Sequence, residues 1–191
     1  MNGEGVSDIE QSVEKKPDDF RILVLVDSKA KGHGATFDST WMQYLGRSLN
    51  KQLKAKRVVP IVGGVAGSDP FYEYQLLKQR LIKYKPDVVI IAINETDVKD
   101  VKVRGGMERF LPDGKVKFND APEIEKYFEK SFLLRFIMLE LLQYDWLYHS
   151  SERQEIENQL ALELIGDAII EIRDLQEVSS GFDIVVVLHP M

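Results

Sequence analysis

The chain of 191 residues contains no cysteine. Disulfide frameworks, zinc–thiolate sites and cysteine nucleophiles are therefore excluded. A long uncharged apolar run is also missing. The richest stretch, residues 131–147, carries Arg135, Glu140 and Asp145, so no integral membrane segment is expected. The opening, MNGEGVSDIEQSVEKKPDD, has no apolar core of a signal peptide. As written the chain reads as cytoplasmic, although a leader removed at a processing or cloning boundary would leave the same sequence. Positive charge is not in excess, because the formal net charge is −6. A nucleic-acid partner is accordingly not expected. The basic cluster at 51–57 reads as a solvated helix end. No Gly-Lys-Ser/Thr string exists, which removes the phosphate-binding P-loop. Gly32-x-Gly34 is too short for a dinucleotide fingerprint, and no acidic residue ends the second apolar run.

What is present is the composition of a globular protein, 44% hydrophobic and 29% charged, at a length that suits one domain. Residues 1–19 are polar and without period, which predicts a flexible tail ahead of a domain over 20–191. Residues 20–26 form a continuous, β-branched apolar run, the pattern of a strand buried on both faces. A helix is predicted over 40–56, with Trp41, Tyr44, Leu45, Leu49 and Leu53 at helical spacing and Ser39 or Thr40 at its start. A second strand at 57–62 leads into the turn GGVAGSDP. A helix over 71–84 follows with Leu76, Leu77, Leu81 and Ile82 inward, and a third strand at 87–93 comes after Pro86. This β-α-β-α-β order predicts a mainly parallel sheet with helices on both faces.

The alternation then breaks. A connection at 96–120 contains Asp113-Gly114 between two short alternating runs, a hairpin signal. Long helices are predicted over 122–148 and 151–178, so that about 96–180 reads as an insertion before a fourth, fully buried strand at 182–188. The first of these helices carries Phe128, Phe132, Phe136, Leu139, Leu142 and Trp146 on more than one face. Core packing is its default role. A lid, a partner surface or an acyl groove is the alternative.

Ligands of open α/β sheets gather at the carboxyl ends of strands. That edge selects Asp27-Ser28, residues 63–68, residues 94–97 and His189. Ser28 offers a hydroxyl, Gly67 a backbone N–H without side chain, and Asn94 an amide donor. A serine with convergent donors is what acyl transfer needs. Each residue alone also has a plain structural role. Asp-Ser opens turns, glycines permit sharp ones, and Asn caps helices.

Three strings resemble blocks of the SGNH/GDSL hydrolases: LVDSKAKGHG the Gly-Asp-Ser nucleophile block, GGVAGSDP the glycine block after the second strand, and KPDVVIIAINETDV the Gly-x-Asn-Asp block. They stand in the family's order and cover residues 20–97, with the fourth strand in addition. The resemblance implies a flavodoxin-like three-layer α/β/α sandwich with a mainly parallel sheet, and action on acyl esters of small molecules, carbohydrates or lipids. No metal or cofactor is needed. By the same resemblance Ser28 is the nucleophile. Its own N–H, the N–H of Gly67 and the Asn94 side chain form the oxyanion hole, and Asp27 braces the turn.

The chain departs from the pattern at Val26, Ala92, Glu95 and Lys29. Its Asp-x-x-His block, source of the general base, does not occur in the 191 residues. The expectation is therefore a C-terminally incomplete hydrolase domain whose histidine lies beyond Met191. Of the three histidines present, His33 reads as a turn residue, His149 as a helix-end cation and His189 as a strand-end residue. The alternative is a catalytically incomplete relative serving as a ligand-binding or interaction domain, with Lys29 and Lys31 available to an anion. A nucleotide- or flavin-binding domain is a third reading, and it has no phosphate loop of the required form. Glu95, Asp97 and Asp100 form an acidic cluster, read as a solvated loop rather than a cation site.

Overall fold

Four largely apolar segments, each six to eight residues long, become the four strands of one parallel sheet: β1 (Asp19–Val26), β2 (Arg57–Gly64), β3 (Val88–Ile93) and β4 (Asp183–Leu188). Their order is β2-β1-β3-β4, and every pairing is parallel. The computed structural model describes residues 10–28, 32, 34–116, 125–144, 151–179 and 181–188. It has the α/β architecture that the strand–helix alternation predicts.

Parallel neighbours require crossovers, and helices supply them. These are α1 (Trp41–Gln52), α2 (Pro70–Leu76), α3 (Glu95–Arg104), α4 (Glu125–Lys130), α5 (Phe132–Phe136) and α6 (Ser151–Val178). The strand pleat divides the core in two. Leu23, Leu25, Ile61, Val89 and Ile91 join Phe71, Tyr74 and Leu77 of the second crossover and Ala161, Ile165, Ala168 and Ile172 of α6. Ile22, Val24, Val26, Val58, Val62, Ile90 and Ala92 form a separate cluster with Met42, Leu45 and Leu49 of α1. Gly63 is required by this packing, because a Cβ there would lie 2.9 Å from Leu81 Cδ1 and 3.1 Å from the Val24 oxygen.

Several expectations are corrected. Trp41, Tyr44 and Leu53 of the first helix face solvent, and Met42 takes the inward place. Thr40 is the residue before α1, but its hydroxyl donates to the Phe37 carbonyl instead of capping. The helix predicted over 122–148 breaks at Ser131, whose extended backbone and side-chain bond from Leu134 N–H start α5 afresh, followed by a π-helical turn at Ile137–Leu141. Phe128 is buried there, whereas Phe132, Phe136, Leu139 and Leu142 are exposed. Trp146 lies outside the described residues. β4 is not fully buried: Val185, Val186, Val187 and Leu188 are exposed, unlike the inner residues of β2, the other edge strand. The Asp113-Gly114 turn does close a miniature hairpin, with a Phe110–Val116 antiparallel bridge. Among the described residues no helix is long and apolar enough to cross a membrane.

The amino ends of the strands are closed by polar contacts. Buried Arg21 donates to the carbonyls of Val13, Glu14 and Tyr84, Asp19 pairs with Arg57 at 2.6 Å, and Asp87 pairs with Lys15 at 2.6 Å. Residues 10–18 run along this end, which leaves the carboxyl edge as the place for chemistry.

Candidate functional site

The strand order reverses direction between β1 and β3: the chain goes from β1 outward to β2, then returns to the other side for β3. A crevice opens at the carboxyl ends of strands where order reverses, and ligands of open α/β sheets bind there. Asp27-Ser28 leaves β1 at this point and Asn94 leaves β3, so the two flank the reversal.

Asn94 is fixed by its own sequence neighbourhood. It is the N-cap of α3, and Asp97 completes a reciprocal capping box by accepting the Asn94 N–H at 2.7 Å. The Asn94 Oδ1 accepts from the Thr96 N–H at 2.8 Å and lies 2.5 Å from the Thr96 hydroxyl oxygen. An N–H can only donate, so the oxygen of the amide must face Thr96 and the nitrogen must face away. That Nδ2 is buried, in a residue 5% exposed, and has no hydrogen-bond partner among the described residues. An unpaired buried donor costs about 1–3 kcal/mol.

The same Thr96 hydroxyl lies 3.2 Å from Asp27 Oδ2, which ties the start of α3 to the end of β1. Ser28 follows directly and is half-buried. On the other side of β1, the Ser68 hydroxyl lies 3.3 Å from the Val26 carbonyl, and the Val65 N–H donates to that same oxygen at 3.2 Å. Gly67 precedes Ser68 with φ +71, a conformation that favours glycine. The Arg104 guanidinium of α3 donates to the Gly67 carbonyl and meets Asp100 at 3.2 Å. Ser28, Gly67 and Asn94 thus stand on three neighbouring loops that are bonded to one another through Thr96, Ser68 and Arg104. His33, His149, His189, Lys29 and Lys31 lie outside the described residues.

Asp69 follows as the N-cap of α2 and accepts from the N–H groups of Phe71 and Tyr72, with Pro70 at the first helical position. It also binds both oxygens to Arg109 Nη2 at 2.7 Å. Asp27, Asp69, Glu73 and Asp97 are all buried at this edge. Against known families the chain matches no model, and no curated protein matches it. The reading of the edge consequently rests on its geometry and electrostatics.

Those electrostatics are acidic. Burial, reinforced by Asp27, Asp100 and Asp69 and opposed by the Asn94 N–H, pushes the Asp97 carboxyl up to about 7. Burial likewise raises Asp100, with Asp69 and Asp27 adding to it and Arg104 opposing. Among the described residues no group of three or more acids or histidines has the geometry to hold a metal ion. Asp97 is turned into the capping box, away from a shared site with Glu95 and Asp100.

A pH signature follows. A carboxyl raised from 3.8 to about 7 gives the folded state more bound protons than the unfolded one in that range. Its stabilising contribution is complete below pH 3.8 and is lost as pH rises through 7, with a slope of up to about 1.4 kcal/mol per pH unit. Asp97→Asn keeps an oxygen acceptor for the Asn94 N–H and removes the titration. Urea denaturation from pH 4 to 8 will show a flatter stability profile for this variant. Parallel profiles for the two proteins would mean that Asp97 titrates normally.

Sequence reasoning reached Ser28, Gly67 and Asn94 from the strand-end rule. It placed Ser68 and Thr96 inside the selected stretches without giving them a role, and it missed Glu73 and Arg104. Glu73 had a signal, since Leu76 and Leu77 follow it at three and four residues and place it on the buried stripe of its helix. Asp69-Pro70 after a glycine turn is also a readable helix start.

Proposed function

We propose that the domain is an SGNH-type serine hydrolase acting on acyl esters, with the three-layer sandwich of that family. The observation that carries this reading is the buried, unpartnered Asn94 Nδ2 at the reversal point of the sheet, aimed by the clamp of Thr96 on its oxygen. In the proposed reaction the Ser28 Oγ attacks the ester carbonyl carbon, and its proton passes to a general base. The carbonyl oxygen takes up the negative charge and accepts hydrogen bonds from Asn94 Nδ2 and from the N–H groups of Gly67 and Ser28. Collapse of this adduct expels the alcohol, which takes the proton. Water then releases the acid from acyl-Ser28. In the family pattern the base is the histidine of an Asp-x-x-His block, a string that does not occur in these 191 residues.

One observation favours the second reading, a binding module without turnover. The carboxylates around the site raise each other's proton affinity, and such a negative field opposes an oxyanion. Ester turnover separates the two readings. On the hydrolase reading the protein cleaves a short-chain p-nitrophenyl ester, and Ser28→Ala lowers turnover by at least about 1000-fold. Equal rates in the two proteins would remove Ser28 from the chemistry, and no turnover in either favours the binding module.

A further inference from the structure

We infer that Glu73 is a neutral carboxylic acid that donates a hydrogen bond to Ser68 and thereby fastens the Gly67-Ser68 turn to the end of β1. The geometry of one hydroxyl leads to this. Ser68 Oγ lies 2.9 Å from Glu73 Oε1 and 3.3 Å from the Val26 carbonyl oxygen. A serine hydroxyl has one hydrogen and cannot donate to both. If Glu73 carries its own proton, the conflict disappears. The acid donates through Oε1 to Ser68 Oγ, and Ser68 donates onward to Val26.

Burial points the same way. Glu73 is 1% exposed, Ser68 is 2% exposed, and Glu73 Oε2 has no partner among the described residues. No cation pairs with Glu73 among the described residues. An ionised carboxylate here would hold a full charge with a single hydrogen bond, the costliest arrangement available to it. A neutral acid leaves only a carbonyl oxygen unpaired. The acids that face it belong to three different elements: Asp97 on α3, Asp69 at the start of α2 and Asp27 at the end of β1. Burial, then these three acids, raise its proton affinity well above the ordinary carboxyl range, against the Ser68 bond.

The consequence concerns the candidate oxyanion hole. Val26 ends β1 immediately before Asp27-Ser28, and Gly67 immediately precedes Ser68. The chain Glu73–Ser68–Val26 therefore joins two of the three proposed donor loops, beside the Val65 N–H bond to the same Val26 oxygen. Glu73 is a positioning residue, since it reaches the reacting atoms only through Ser68. Its protonation is independent of any activity, whereas its bearing on turnover rests on the hydrolase reading above.

The test is an infrared difference spectrum between the protein and Glu73→Gln at neutral pH. The expected result is a protonated carboxylic C=O band in the native protein that is missing from the variant. A difference confined to carboxylate bands overturns the inference. Where ester turnover is measurable, Glu73→Leu, which cannot donate, lowers kcat by up to about 100-fold with little change in KM. Glu73→Gln, whose amide can make the same donation, recovers it. Equal kcat in the leucine and glutamine variants removes the positioning role. If no ester is turned over at all, the hydrolase reading falls and the infrared band alone decides the state of Glu73.

Discussion

On the proposed hydrolase reading, Asn94→Ser lowers ester turnover about 100- to 1000-fold, the usual cost of one oxyanion donor, while the fold is kept. Serine caps a helix as well as asparagine does, so the Thr96 N–H retains an acceptor and α3 retains its start. What is lost is the amide Nδ2, the buried donor that has no partner among the described residues. The expected signature is therefore a fall in kcat with little movement of the denaturation midpoint. Steady-state kinetics and urea denaturation of the same preparation check it. Turnover within a few-fold of native would take Asn94 out of the hole. An equal loss of stability and turnover would make it a cap only.

Asp69→Ala destabilises the domain by about 3–5 kcal/mol. Asp69 is 0% exposed, and the Arg109 side chain is 9% exposed. Their pair is held by two contacts of 2.7 Å. Removing the carboxylate leaves Arg109 charged in a buried place, with the Gly105 carbonyl at 3.0 Å and the Phe110 ring at 4.6 Å as its remaining company. The same substitution removes the N-cap of α2, worth about 1 kcal/mol. Domains of this kind are stable by only about 5–15 kcal/mol, so the effect is a large share of the total. Asp69→Asn, which keeps an oxygen for the Phe71 and Tyr72 N–H groups, should fall between alanine and native in urea denaturation. If Asp69→Ala costs less than about 1 kcal/mol, Arg109 is finding water or another acceptor, and the pair is not a buried one in effect.

The central strands were readable because β1 and β3 are continuous β-branched runs, and burial on both faces leaves no other pattern to write. The run that makes β4 looks the same in sequence, yet its valines are exposed. Apolar content specifies a strand but does not count its neighbours. In α1 the 3.6-residue period admits overlapping stripes. Trp41 and Tyr44 fit one of them, and the close approach of Met42 to the sheet selects another. The break at Ser131 hangs on a single capping bond within an otherwise helical pattern.

The site divides in the same way. Ser28, Gly67 and Asn94 sit at strand ends, where position in sequence indicates position in the fold. Thr96 and Glu73 matter through partners that are distant in sequence or shared by several loops. The Thr96 contact to Asp27 spans 69 residues, and no local pattern encodes it.

The account stands most directly on whether Ser28 is activated. The deciding measurement is the mass of the protein after brief exposure to a fluorophosphonate probe, with the modified peptide mapped. The account predicts one adduct, on Ser28, that Ser28→Ala abolishes and Asn94→Ser slows. An unmodified protein, or an adduct that persists in Ser28→Ala, would contradict it.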